Sequence, residues 1–178
     1  MTKLCGIDEA GRGCIAGDLV MAGVILNAPI EGLMDSKKIS EKRREALYTI
    51  IIQQSQHHIV RFDARTIDNK GLSHCLAHGL EAIQTHLEAD IYLFDGNQTF
   101  GVLGISTMVK ADSKIPEVSA ASILAKVTHD RAIIQAAQTY PMYGFEKHKG
   151  YGTKAHIEAI KTYGYTPHHR RSFKIKGL

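Results

Sequence analysis

The run IDEAGRG, residues 7–13, combines residue types that suit metal and phosphate chemistry. The adjacent carboxylates of Asp8 and Glu9 follow a short apolar stretch, so they lie where a strand is predicted to end. Carboxylate oxygens are the ligands that hard divalent cations prefer. The two glycines let the main chain approach a ligand closely, and Arg12 adds a permanent positive charge. The run therefore predicts a metal site beside a phosphate-bearing substrate.

Two further carboxylates occupy similar positions later in the chain. Asp95 ends the apolar run at residues 90–95, and Asp112 follows a second strand-like run at 105–109. Ligand sites in open α/β sheets gather at the carboxyl ends of strands, so these acids are expected to meet Asp8 at one edge. Taken singly, each of the two also suits an ordinary turn or helix cap. Their combination with the run at 7–13 favours a shared site.

The resulting group of acids predicts a divalent metal. Clustered carboxylates repel one another when empty, and oxygen-only ligands favour Mg²⁺ or Mn²⁺ over zinc. Two such ions ~3.5–4 Å apart can activate a water and stabilise the leaving oxygen in phosphodiester hydrolysis. Neighbours on a regular strand point to opposite faces, so Asp8 and Glu9 share a site only if the strand breaks there. The predicted metal ligands and catalytic residues are Asp8, Glu9, Asp95 and Asp112.

The elements that must position these residues follow from apolar patterns along the 178 residues. Strands alternate with helices, which predicts an α/β fold with a mixed central sheet in one domain, residues 1–178, ending in a short basic tail. Ser40 is the expected N-cap of the first helix. The predicted strands are 4–8, 18–27, 58–63, 90–95 and 102–109; the predicted helices are 41–54, 69–87, 116–139 and the segment between Thr153 and Gly164.

Composition excludes several classes of protein. The three cysteines contain no C-x-x-C pair, which argues against a disulfide scaffold or structural zinc and favours the cytoplasm. No apolar run approaches the ~20 residues of a membrane span, and the first residues show no targeting signal. The net charge of +4 is compatible with a polyanionic partner.

Six motifs, taken in order, resemble the ribonuclease HII family over nearly the whole chain. The resemblance implies an RNase H-like fold, with a mixed five-stranded sheet flanked by helices. It implies metal-dependent hydrolysis of RNA paired with DNA, and cleavage 5′ of a single ribonucleotide embedded in duplex DNA, leaving 5′-phosphate and 3′-hydroxyl ends. The motifs are IDEAGRG, DSKKIS at 35–40, LFDGN at 93–97, KADSKIPEVSAASILAKVTHD at 110–130, HKGYGT at 148–153 and HRRSF at 169–173.

The same resemblance assigns roles to individual residues. It places the catalytic tetrad on the four acids chosen above from their positions. It implies that the glycine loop senses the 2′-hydroxyl, the group that separates RNA from DNA. It implies that Tyr151 stacks on the deoxyribose after the ribonucleotide. The implied substrate-binding residues are Gly11, Arg12, Gly13, Lys37, Lys38, Ser122, Lys126 and Tyr151.

Some interpretations stay open at this point. Ser122 and Lys126 share a helix face at i, i+4, which also suits a hydrolase nucleophile, although no oxyanion motif accompanies them. The basic residues 168–171 are either a solvated tail or part of the site. Cys14 and His129 stand where the family commonly has proline and arginine.

Two rival functions differ in class from the endoribonuclease. One is a DNA-directed nuclease of the same fold, and the other is a non-catalytic module that binds hybrid duplexes. The intact acidic set argues against the binding module, and the glycine–arginine–glycine loop argues against the DNA nuclease. The expected partners are nucleic acids, namely RNA/DNA hybrids and DNA duplexes that contain ribonucleotides, with the protein acting as a monomer away from membranes.

Overall fold

The computed structural model describes residues 1–33 and 39–178. The described chain is an α/β fold in which five strands form one mixed sheet with helices packed against it. The bounds of the helices predicted at 41–54 and 116–139 are confirmed. The strands are β1 Leu4–Ala10, β2 Leu19–Leu26, β3 Ser55–Phe62, β4 Ile91–Asp95 and β5 Ile105–Met108; the helices are α1 Glu41–Gln54, α2 Ala64–Lys70, α3 Leu72–His86, α4 Pro116–Thr139, α5 Phe145–His148 and α6 Lys154–Tyr163.

The order of the sheet, β3-β2-β1-β4-β5, places the acidic strand β1 at its centre. β1 and β2, and β2 and β3, pair antiparallel, whereas β1 and β4, and β4 and β5, pair parallel. In the parallel pair, Ile7 lies opposite Phe94. Asp8 and Asp95 are the next residue on each strand, so both emerge at the same end of the sheet. The prediction that these two carboxylates lie together at the carboxyl end of their strands is confirmed.

Apolar layers cover both faces of the sheet. One layer packs α3 against β1 and β4 through residues such as Leu80 and Phe94, and the other packs α1 and α4 against β2. Gly6 of β1 permits the close approach of α4, because a Cβ at that position would lie 2.3 Å from the backbone of Glu117. Helix α4 therefore lies directly on the strand that carries Asp8.

Glycines and caps account for the places where predicted bounds were wrong. The helix predicted at 69–87 is two helices, because Gly71 with φ +87° ends α2 before α3 begins. Asp63 caps α2 by accepting a hydrogen bond of 2.8 Å from the backbone N–H of Thr66, so α2 starts earlier than the helix predicted at 69–87. β5 begins only after Gly104, whose φ is +78°. β3 starts three residues earlier than predicted, directly after α1.

The basic C-terminal segment is packed into the fold, which answers the question left open by the sequence. His169 is 2% exposed and Arg170 is fully buried, so these residues are not a solvated tail. His169 forms a strand-like bridge with Ala16, and the backbone N–H of Arg170 donates to the carbonyl of Ile15 at 2.9 Å. Across residues 1–33 and 39–178, every helix is too short or too polar to cross a membrane.

Candidate metal site and the groove beside it

Three carboxylates converge at the carboxyl end of the central strands. Asp8, Asp95 and Asp112 each offer one oxygen, and these three oxygens all lie within 4.8 Å of one another. Asp112 reaches the site from a 3₁₀ turn, Ala111–Ser113, that follows β5. Its backbone N–H donates to Asp95 Oδ2 at 2.9 Å, which ties the turn to the end of β4. The three acids therefore form one pre-arranged group of oxygen ligands.

The turn that presents Asp112 depends on an unusual backbone conformation. Lys110 adopts the left-handed region with φ +57°, which bends the chain sharply after β5. The Ser113 hydroxyl donates to the Lys110 carbonyl at 2.9 Å and closes the turn. Ala111 is fully buried and packs with Leu93 and Val118, so the turn is anchored in the core. Non-glycine residues in this region carry strain and cluster at functional sites.

Burial and mutual repulsion act together on these acids. The pKa of Asp8 is raised well above its usual range, first by burial and then by the charges of Glu9 and Asp95. Burial also raises the pKa of Asp95. A divalent cation would relieve both effects, because it compensates the lost hydration and the repulsion at once. The donor set consists of carboxylate oxygens alone, so it fits a hard cation such as Mg²⁺ or Mn²⁺.

Glu9 stands beside the group of three rather than within it. β1 continues to Ala10, yet the Glu9 carboxylate still interacts electrostatically with those of Asp8 and Asp95, and its N–H donates to Asp8 Oδ1 at 2.8 Å. One Glu9 oxygen binds Arg12 Nη2 at 2.6 Å, and the other, Oε2, is buried without a hydrogen-bond partner in the described part of the chain. Burial raises the pKa of Glu9, and the charge of Arg12 opposes the rise. The strand does not break between the two acids.

The two glycines of the loop after β1 are present for different reasons. Gly11 has φ +87°, and a Cβ there would lie 2.5 Å from the Asp18 carbonyl and 2.6 Å from the His129 ring. Packing and backbone conformation therefore both require glycine at 11. Gly13 is exposed, and a Cβ there would meet no atom of the described residues within 4 Å. The backbone at Gly13 is consequently open to a ligand.

The buried Arg170 side chain stabilises this loop by hydrogen bonds to its backbone, a role that the sequence did not reveal. Its Nη1 donates to the Arg12 carbonyl at 3.1 Å and its Nε to the Gly17 carbonyl at 3.0 Å. The guanidinium also lies over the Phe173 ring, 5.2 Å from the ring centre. In the sequence, Arg170 belongs to a basic run after the last helix, and such a run gives the same signal whether it is solvated or buried.

Asp8, Glu9 and Asp112 line a groove of about 290 Å³. Ser122, Lys126 and Tyr151 line the same groove, so it brings the acids together with three predicted substrate residues. Arg44 of α1 also lines the groove. The sequence does not reveal this, because a basic residue in the first turn of a helix shows the same pattern whether it faces solvent or a binding site. The lining residues are Asp8, Glu9, Ala10, Arg44, Asp112, Ser122, Ile123, Lys126 and Tyr151.

Ser122 and Lys126 face the groove but are not joined as a nucleophile and its base. The Ser122 hydroxyl donates to the Ser119 carbonyl at 2.7 Å, whereas Lys126 Nζ donates to Asp130 Oδ1 at 3.1 Å. These contacts suit a hydroxyl and an ammonium presented to phosphates rather than a Ser–Lys catalytic pair. The other predicted phosphate contacts, Lys37 and Lys38, lie outside the described residues.

Tyr151 lines the same groove, with 43% of its surface exposed. Burial of its hydroxyl, followed by the influence of Cys14, raises the pKa of Tyr151 to about 12, so the phenol is neutral. Cys14 Sγ lies 3.5 Å from His129 Nε2, and His129 Nδ1 lies 2.9 Å from Asp130. The two residues that depart from the family's usual proline and arginine thus contact each other under the loop. Burial raises the pKa of Cys14 to about 11, which makes it an unreactive packing residue.

Comparison with known proteins agrees with this geometry. The family model described as Ribonuclease HII matches residues 5–176. The chain is 66% identical to ribonuclease HII of Sulfurovum sp. (strain NBC37-1), covering 98% of this chain and 93% of that protein. It is 53% identical to ribonuclease HII of Aliarcobacter butzleri, covering 100% and 94% of the two chains.

A solved structure shows the same fold. A chain in the structure of the PCNA:RNase HII complex from Archaeoglobus fulgidus superposes with a TM-score of 0.85 at 28% identity. The superposition covers 99% of this chain and 97% of that one. The fold, the carboxylate site and these matches together lead to one assignment: the chain belongs to the ribonuclease HII family, and it is a metal-dependent endoribonuclease of ribonuclease H type 2.

Proposed function

We propose that this enzyme hydrolyses the RNA strand of RNA/DNA hybrids and cuts 5′ of a single ribonucleotide embedded in duplex DNA. The observation that carries the proposal is the convergence of the oxygens of Asp8, Asp95 and Asp112 within 4.8 Å, beside a groove lined by basic and hydroxyl side chains. The products carry 5′-phosphate and 3′-hydroxyl ends. In this scheme, Glu9 completes the catalytic set from the neighbouring position on β1.

The four acids hold Mg²⁺ or Mn²⁺, which suit an oxygen-only donor set. When bound, such ions generate a reactive water and stabilise the charge on the leaving oxygen. Asp8 and Asp95 are brought together by the register of β1 and β4, and Asp112 is held by its N–H bond to Asp95. Arg12 stays paired with Glu9, so the loop that approaches the substrate is tied to the metal site.

The open backbone at Gly13 supports recognition of the ribonucleotide. A minor-groove 2′-hydroxyl is accessible only to a main chain with no side chain in the way, and Gly13 offers that surface. Gly11 and Arg12 shape the same loop. The half-exposed ring of Tyr151 offers an apolar face to the sugar that follows the ribonucleotide.

The basic and hydroxyl side chains of the groove hold phosphates. Ser122, Lys126 and Arg44 line it directly. The resemblance to the family adds Lys37 and Lys38, which precede the first helix in the sequence. We further propose that the enzyme acts as a monomer in the cytoplasm, which agrees with three buried cysteines that remain free thiols.

Three end-labelled duplexes test this proposal with the parent enzyme in Mg²⁺ and in Mn²⁺. The duplexes contain one ribonucleotide, a full RNA strand, or DNA alone. We expect one cut 5′ of the single ribonucleotide, several cuts in the RNA strand and none in DNA. Cleavage of the all-DNA duplex would instead identify a DNA-directed nuclease, and binding without any cut would identify a silent binding module.

A further inference from the structure

Three histidines form a connected cluster behind the segment that carries Tyr151. His148 belongs to α5, His156 to α6 and His169 to the C-terminal segment. The rings of His148 and His156 are stacked with their centres 4.0 Å apart. The Nε2 atoms of His156 and His169 lie 2.9 Å apart, within hydrogen-bond distance. Neither His156 nor His169 lines the groove.

The backbone determines the direction of every hydrogen bond in this cluster. The N–H of Thr166 can only donate, and it lies 2.9 Å from His169 Nδ1. His169 therefore accepts at Nδ1 and, as a neutral ring, carries its proton on Nε2. That proton is donated to His156 Nε2, which leaves the His156 proton on Nδ1. His156 Nδ1 then donates to the carbonyl of Tyr151 at 2.8 Å.

His148 also binds the segment that carries Tyr151, and its proton position follows from the backbone in the same way. The N–H of Gly150 donates to His148 Nδ1 at 3.1 Å, so His148 Nε2 carries the proton that binds the Tyr143 carbonyl at 2.8 Å. The Gly150 carbonyl in turn accepts from the backbone N–H of Ile15 at 2.9 Å, close after the glycine loop. The cluster is thus connected by hydrogen bonds both to Tyr151 and to the backbone of Ile15, shortly after Gly13.

The surroundings keep the rings neutral. Burial, the largest effect, lowers the pKa of His156 and of His169 to about 4, and the neighbouring imidazoles add to it. Phe145 and Tyr143 pack against the rings. The titratable or charged groups that face the cluster are Tyr143, Tyr165, His168, Glu146 and Lys149.

We propose that His156 and His169 are positioning residues: the hydrogen-bond chain from Thr166 through both rings sets the main-chain position of Tyr151, and through it the binding of the ribonucleotide junction. The second half of this inference rests on the proposed role of Tyr151 in substrate binding. The first half concerns the protein alone and can be tested without substrate.

Nitrogen-15 NMR of the histidine side chains tests the first half on the full-length parent enzyme. At pH 7 we expect His156 protonated on Nδ1 and His169 protonated on Nε2. Lowering the pH should leave both rings neutral well below the titration of the exposed histidines. A proton on Nε2 of His156, or on Nδ1 of His169, would overturn the proposed chain.

Two substitutions of one residue test the second half. The amide nitrogen of asparagine can occupy the place of His156 Nδ1, so His156→Asn keeps the donor to Tyr151 and loses the contact with His169. The longer glutamine side chain reaches the place of His156 Nε2. His156→Gln therefore keeps the contact with His169 and loses the hydrogen bond to the Tyr151 carbonyl. We expect His156→Gln to raise KM for the single-ribonucleotide duplex roughly threefold to tenfold, as for the loss of one hydrogen bond, with kcat within about twofold. His156→Asn should raise KM less than about twofold.

Tyr151→Ala separates failure of this inference from failure of the proposed function. A raised KM in Tyr151→Ala together with equal KM values for the Asn and Gln variants at 156 would refute the positioning role alone. A parent-like KM in Tyr151→Ala would remove Tyr151 from the substrate site and refute the link to binding, whatever the NMR shows. Circular dichroism of each variant confirms that the comparison is between folded proteins.

Discussion

In the loop after β1, alanine substitutions at Gly11 and at Gly13 are expected to have opposite effects: the first should lower stability and the second should lower activity. Gly11→Ala places a methyl group 2.5 Å from the Asp18 carbonyl, at a residue whose φ is +87°. A left-handed alanine costs about 1–2 kcal/mol, and relieving a backbone clash of this size adds a similar amount, so we expect destabilisation of about 2–4 kcal/mol. For a domain of this size that lowers Tm by about 4–16 °C.

Gly13→Ala is the matched control, because it adds the same methyl group two residues away. Within residues 1–33 and 39–178, a Cβ at Gly13 meets no atom within 4 Å, so Tm should change by less than about 2 °C. The same methyl group would occupy the space that we assign to the 2′-hydroxyl, so cleavage of the single-ribonucleotide duplex should fall at least about tenfold, equivalent to ~1.4 kcal/mol.

The assay for this pair combines thermal unfolding by circular dichroism with initial cleavage rates at saturating metal. The reasoning is refuted if Gly11→Ala melts with the parent, or if Gly13→Ala is destabilised as much as Gly11→Ala. Parent-like cleavage by a stable Gly13→Ala variant would show that this backbone does not approach the ribonucleotide.

Three further predictions concern the groove, the loop support and the histidine cluster. Lys126→Met should weaken duplex binding and reduce the slope of log K against log salt by ~0.9, as for one lost phosphate contact, in a fluorescence titration; an unchanged slope contradicts that contact. Arg170→Lys should lower stability by about 1.5–3 kcal/mol in urea unfolding, because one ammonium cannot donate to both the Arg12 and Gly17 carbonyls. The pKa values of about 4 for His156 and His169 lie below the unfolded value of 6.5, so the unfolded chain binds more protons between these limits. Stability should therefore fall as pH decreases from about 6.5 to about 4, and less steeply in His156→Asn; equal slopes of Tm against pH would count against this.

The metal site was largely predictable because it depends on local patterns. An apolar run that ends in an acid predicts a strand whose carboxylate lies at the sheet edge, and this holds for Asp8 and Asp95. Pro116 at the start of α4 and the Ser40 cap of α1 set those helices correctly, because capping depends on a few adjacent residues.

Features that depend on distant contacts were not predictable. Arg170 is buried because it satisfies carbonyls more than 150 positions away, and no local pattern carries that information. The directions of the bonds at His156 follow from Thr166 and Tyr151, which only the folded chain brings together. Glu9 was expected to share the site only if the strand broke, but β1 pairs as far as Ala10, and Glu9 still lines the same groove as Asp8 while it is paired with Arg12.

The central claim is that the carboxylates at the end of β1 and β4 carry out the cleavage. Asp8→Asn keeps the size of the side chain and removes its charge, and Asp90→Asn makes the same change just before the opposite end of β4, where the Asp90 carboxylate accepts from the backbone N–H of Lys3 at 2.7 Å. The decisive measurement is cleavage of the single-ribonucleotide duplex in Mg²⁺ and Mn²⁺ by both variants, beside duplex binding without metal. We predict that Asp8→Asn loses cleavage while it binds at least as tightly as the parent, and that Asp90→Asn cleaves normally. Cleavage by folded Asp8→Asn at the parent rate would contradict the account.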